Sequence, residues 1–240
     1  MLVASSIVRL SGELGESDCE LIGDGFLGQP VNALTSGAYV LFGIWLVGRA
    51  LRSRSNELTM EVVYGLTLAS VGIGSIAFHG PAPPGARFLH DVTIAAVLAI
   101  IAARNLVALS GPNRRRVLAL GALIIAAVGS VMTFAPDAGN VLTGVVGAIA
   151  VVSEAILYRT GRHRFSSRVA RILSTMVLLL VAAAMINLLG RTGGPMCDPE
   201  SIFQGHGLWH ILTAAAFMLY GYAAFPKQVG DPEHAHADQA

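Results

Sequence analysis

"GHGLWHILTAAAFMLYGYAAF", residues 205–225, decides how this chain is to be read. From Gly207 to Phe225 it is a charge-free apolar run, close to the ~20 residues that carry a helix across about 30 Å of hydrocarbon. Two histidines four apart, His206 and His210, stand at its head. Six further runs of the same kind precede it: Ala33–Leu51, Met60–Phe78, Phe88–Ala108, Val117–Phe134, Val141–Leu157 and Ile172–Leu189. None alternates as barrel strands do, and in lipid only helices and closed barrels satisfy their backbone groups. The expectation is an all-α membrane protein with seven transmembrane helices.

Composition agrees with this. Hydrophobic residues make up 54% of the 240 and charged residues only 13%, about half of what a soluble domain carries. Basic residues then orient the spans. Arg49, Arg52 and Arg54 follow span one, and Arg114, Arg115 and Arg116 follow span three. Arg159, Arg162, Arg164, Arg168 and Arg171 follow span five, and Lys227 follows span seven. Only Arg9, Arg87 and Arg191 fall on the other side. Positive loops stay cytoplasmic, so the N-terminus is expected outside and the C-terminus inside. The domain expectation is an extracytoplasmic segment over 1–32, a seven-helix transmembrane domain over 33–225 and a disordered cytoplasmic tail over 226–240. The opening "MLVASSIVRL" lacks the charged and apolar regions of a secretory signal. A net charge of +1 with no basic block beyond these loops gives no reason to expect a nucleic-acid partner. No obligate protein partner is evident either. His234 and His236 of the tail read as solvated residues.

Cys19 precedes span one and Cys197 lies between spans six and seven, so the arginine argument puts both outside. An oxidising compartment permits a bridge between them; two free thiols are the alternative.

Ionisable residues in spans are costly and are functional candidates by default. Ser75 and His79 end span two, His90 and Asp91 open span three, and His206 and His210 open span seven. Residues four apart share a helix face. With the N-terminus outside, all of these helix ends lie at one membrane depth. Three neutral imidazoles with an open fourth position make a catalytic zinc set, Asp91 is of the type that takes and returns a proton, and Ser75 of the type that donates to an oxyanion. Taken one at a time, the histidines could instead bond between helices. Ser75 could be a packing residue beside Gly72 and Gly74, and His90 reads as interfacial.

The pattern "SIAFH" (Ser75–His79), "LHD" (Asp91) and "HGLWH" (His206–His210) resembles the alkaline ceramidase family. That family is one branch of seven-helix metal hydrolases that also include the adiponectin receptors. "DCE" and "QPVNALTS" look like the family's cysteine–glutamate segment and its following E-x-x-N, and Cys19 and Cys197 occupy the positions of the family disulfide. The outward N-terminus and the cysteine pair favour the ceramidase branch. The resemblance implies that His79, His206 and His210 bind zinc, that Asp91 positions or deprotonates water, and that Ser75 stabilises the oxyanion. It implies hydrolysis of the N-acyl bond of a ceramide-like lipid to fatty acid and sphingoid base. The family's calcium site is less well matched. Glu20 is retained, but Asp18 is out of register and Gln29 stands for a later acid, and hard calcium wants several oxygens, which argues against Ca²⁺.

Two other readings keep part of this: a zinc hydrolase of another lipid amide or ester, and a seven-helix lipid receptor or sensor without turnover. A retinal protein is excluded, because the single lysine, Lys227, lies outside the spans. Abundant Arg, Ala and Gly hint at a GC-rich bacterial genome; if bacterial, this is a plasma (inner) membrane protein with its site towards the periplasmic or extracellular face, and in a eukaryote the site would be lumenal.

Overall fold

The computed structural model describes residues 18–53, 57–161 and 166–225. The expectations for Arg9, Arg54, Arg162, Arg164, Lys227, the opening residues and the tail with His234 and His236 lie outside these. Among the described residues there are seven long helices and no strand. They are α1 (Pro30–Ser53), α2 (Leu58–His79), α3 (Ala86–Ala108), α4 (Arg114–Phe134), α5 (Gly139–Arg159), α6 (Ser167–Gly190) and α7 (Gly205–Ala224), with a single 3-10 turn at Pro136–Ala138 before α5.

Helix ends follow local chemistry. Pro30 opens α1, where a missing N–H costs nothing. Asn113 and Ser166 cap α4 and α6 by accepting the N–H of Arg116 (3.1 Å) and Val169 (3.3 Å). After His79, "GPAPPG" supplies prolines that cannot continue a helix, and Gly85 takes φ +85 to start α3.

Six helices, α1 to α6, are long and apolar enough to cross a membrane. The seventh, α7, has 20 residues but is not among them. Its two histidines and three glycines dilute the apolar run that the sequence reading counted as a span. On α6 the side chains of Val177, Leu178, Val181, Met185 and Leu188 are exposed. An apolar exterior of this kind suits hydrocarbon, where it costs nothing.

Packing runs α2 against α1 and α3, α3 against α4 and α5, and α7 against α1 and α6. The α1–α2 approach is the closest. A Cβ on Gly43 would come within 2.5 Å of Gly65 O, and one on Gly72 within 2.8 Å of Ser36 O. Small residues let backbones meet in this way, and at Gly72 the approach brings Ser36 beside α2. Tyr64, Leu68, Val97 and Ala99 lie in the core between these helices.

The bundle has two chemically different ends. At one, Arg49 and Arg104 donate to the last carbonyls around α7, Phe225 O (2.7 Å) and Ala224 O (2.8 Å). At the other, the start of α7 meets the end of α2. A Cys19–Cys197 disulfide there joins the segment before α1 to the loop before α7, as the shared-side argument anticipates.

Candidate metal centre

α2 delivers His79 from its last residue, and α7 delivers His206 and His210 from its first two turns. Their ring centroids lie 5.1, 5.2 and 4.5 Å apart, and one nitrogen from each falls within 4.8 Å of the others. His79 and His210 are buried, and His206 is partly so. The three histidines singled out in the sequence therefore form one cluster.

Each imidazole is held through Nδ1. His79 Nδ1 donates to Gln29 Oε1 (2.8 Å), His206 Nδ1 to Asn187 Oδ1 (3.0 Å), and His210 Nδ1 to Asn32 O (3.1 Å). The Gln29 orientation is fixed independently, because its Nε2 donates to Glu20 O (3.0 Å). An oxygen acceptor on Nδ1 sets the tautomer that leaves Nε2 as the ligand atom, the usual outer support of metal-bound histidine. His206 Nε2 is buried and makes no hydrogen bond, which costs free energy unless something fills the space before it. Three imidazoles with supported Nδ1 atoms fit a borderline metal such as zinc and not an oxygen-seeking one.

Ser75, one turn before His79, is buried with Oγ 3.4 Å from His210 Nε2. Ser36 Oγ donates to Asn32 O (2.6 Å) and lies 2.8 Å from Ser75 Oγ and 3.1 Å from His210 Nδ1. With its one proton given to Asn32, Ser36 accepts from Ser75.

Asp91 sits differently. Its Oδ1 accepts from His90 Nδ1 (2.8 Å), and Oδ2 faces Arg87 Nε at 3.9 Å. It is not part of the histidine cluster. Its link to the cluster is His90, which is more than an interfacial residue: the ring lies 4.9 Å from that of Phe78 and 5.8 Å, edge-on, from that of His79.

The segment before α1 supplies groups the sequence reading assigned no role at the site. Gln29 N–H donates to His79 O (2.8 Å) as well as holding the ring. Asp18, buried, places Oδ2 3.3 Å from His79 Nδ1. Burial raises the Asp18 carboxyl, but His79 and Gln29 beside it outweigh this and hold it below the ordinary carboxylate value. Glu20 is spent on α1: its two oxygens accept the N–H groups of Val31 (2.7 Å) and Asn32 (2.8 Å). Burial pushes the Glu20 carboxyl up, against these two bonds.

The Asn32–Ser36 spacing, one turn apart on α1, was a visible signal for this outer shell. Asn187, an amide inside an apolar run, was another. Neither spacing said which histidine it would meet.

Comparison with known proteins bears on the same residues. A family model described as "Ceramidase" matches residues 26–226, taking in all seven helices, Ser75, Asp91 and the three histidines. Comparison with curated proteins returns no match. With a match over most of its length, the chain belongs to the ceramidase family, which implies a hydrolase.

Proposed function

We propose that the protein is a zinc-dependent intramembrane amidohydrolase. It cleaves the N-acyl bond of a ceramide-like lipid to a fatty acid and a long-chain amine. The observation that carries this reading is the convergence of three Nδ1-supported imidazoles at one end of an apolar helix bundle, in a chain of the ceramidase family.

His79, His206 and His210 would hold the zinc. When bound, zinc supplies Lewis acidity, lowering the pKa of water and polarising a carbonyl. Ser75, against His210 Nε2, is placed to donate to the oxygen that gains charge at the amide. Its hydroxyl can turn there from Ser36 by rotation about one bond. Asp91, which meets the cluster through His90, would take the proton of the attacking water by relay across that imidazole and return it the same way to the leaving amine.

The amide of such a lipid sits at headgroup depth, and its chains would lie along the apolar bundle. We read all seven helices as spans, α7 included, with the hydrolase domain over 33–225. The N-terminus lies outside and the C-terminus in the cytoplasm. On that reading the centre faces the periplasm or exterior of a plasma membrane.

Metal removal tests the reading. Treating the detergent-purified protein with a zinc chelator should abolish amine release from ceramide, and added zinc, not calcium, should restore it. Full activity in the chelated, metal-free protein would contradict the proposal.

A further inference from the structure

The two acids nearest the centre are not equivalent. Asp91 has the Arg87 guanidinium at 3.9 Å, shared with Asp137 at 3.6 Å, and a hydrogen bond from His90. Asp18 has neither arginine nor lysine within 4.0 Å among the described residues; its one ion-pair neighbour is His79. Asp18 is buried, and its Oδ1 makes no hydrogen bond.

Burying a carboxylate is unfavourable unless charge and hydrogen bonds meet it, and the group that meets Asp18 Oδ2 is the His79 imidazole, at 3.3 Å. Metal on a histidine is a positive charge, and an acid on the far nitrogen of a ligating histidine both orients the ring and raises its basicity.

The local backbone aims this acid. Asp18 precedes Cys19, which is fixed by the disulfide to Cys197 and adopts φ +61, an uncommon conformation for a residue with a side chain. Cys19 N–H donates to Thr192 Oγ1 (3.1 Å), and Glu20 N–H turns back onto Asp18 O (2.7 Å). The residue lies before the stretch matched by the family model.

We infer that Asp18 is a positioning residue for the metal centre, the carboxylate that compensates the charge of a divalent ion through the His79 imidazole. This rests on the metal-centre reading above. It assigns to the disulfide-anchored segment a part in holding the metal.

The test is zinc affinity of the full-length protein in detergent, measured by competition with a chromogenic chelator. The variants are Asp18→Asn and, as a control for general charge, Asp24→Asn on the exposed part of the same segment. Asp18→Asn should weaken zinc binding about 10–100-fold, and Asp24→Asn should leave it unchanged. Thermal melting separates this from a structural role. The readout is the rise that zinc adds to each protein's own metal-free melting point. That rise should be smaller for Asp18→Asn than for wild type or Asp24→Asn.

Zinc affinity in Asp18→Asn within about twofold of wild type would overturn the inference. So would a zinc-induced rise in melting temperature as large in Asp18→Asn as in wild type. Failure of the metal-centre reading looks different: wild type would then bind zinc no better than His210→Ala.

Discussion

At the residue scale the centre depends on which nitrogen each histidine presents, and oxygen acceptors on other elements decide that. Asn187 makes the point for His206. Its Oδ1 is the acceptor found for His206 Nδ1, at 3.0 Å, whereas His210 has Asn32 O, Ser36 and Thr35 around the same atom. Truncating Asn187 to alanine should therefore free the His206 ring and weaken zinc binding about 10–100-fold, with the bundle still folded. A chelator competition on purified Asn187→Ala reads this directly, and affinity equal to wild type would refute it. The clustering of the three histidines was legible in the sequence because the i, i+4 spacing of His206 and His210 and a common depth need no knowledge of packing. Their supports were not. Gln29 meets His79 across fifty residues and Asn32 meets His210 across 178, and only the folded chain brings such pairs together.

At the element scale, one close approach sets the position of the serine pair. Gly43 and Gly65 let α1 and α2 touch, and Gly72 admits the Ser36 backbone. Leucine at Gly43 would drive its Cβ to 2.5 Å from Gly65 O and Ala69 N, both backbone atoms that cannot swing aside. Overpacking of this sort costs about 1–3 kcal/mol or more. Gly43→Leu should lower the melting temperature and reduce activity by moving Ser36 away from Ser75; an unchanged melting curve would contradict the packing described. Element boundaries were less legible than element number. α6 begins at Ser167, before the run that starts at Ile172, and α4 begins at Arg114, before Val117. Hydropathy marks where a helix becomes apolar, whereas the Asn113 and Ser166 caps mark where its hydrogen bonds begin. α7 shows the reverse: the two histidines that it brings to the cluster also lower its apolar content.

At the scale of the whole molecule the helical class was readable because lipid leaves few alternatives. The two ends were readable from arginines and cysteines. Arg49 and Arg104 gather at the end of α7, and Arg168 joins them by donating to Tyr222 OH (3.1 Å). The disulfide and the histidines occupy the other end. Tying the segment before α1 to the loop before α7 closes a cap over the cluster, so the groups that hold His79 are anchored to the element carrying His206 and His210. The central claim is that this assembly hydrolyses ceramide-like lipids with a bound metal. The most direct measurement is long-chain amine release from a panel of ceramides by the detergent-purified protein, beside His210→Ala. The account predicts release by wild type and none by the variant, which also loses its metal. Equal release by both, or none from any ceramide by metal-loaded wild type, would contradict it.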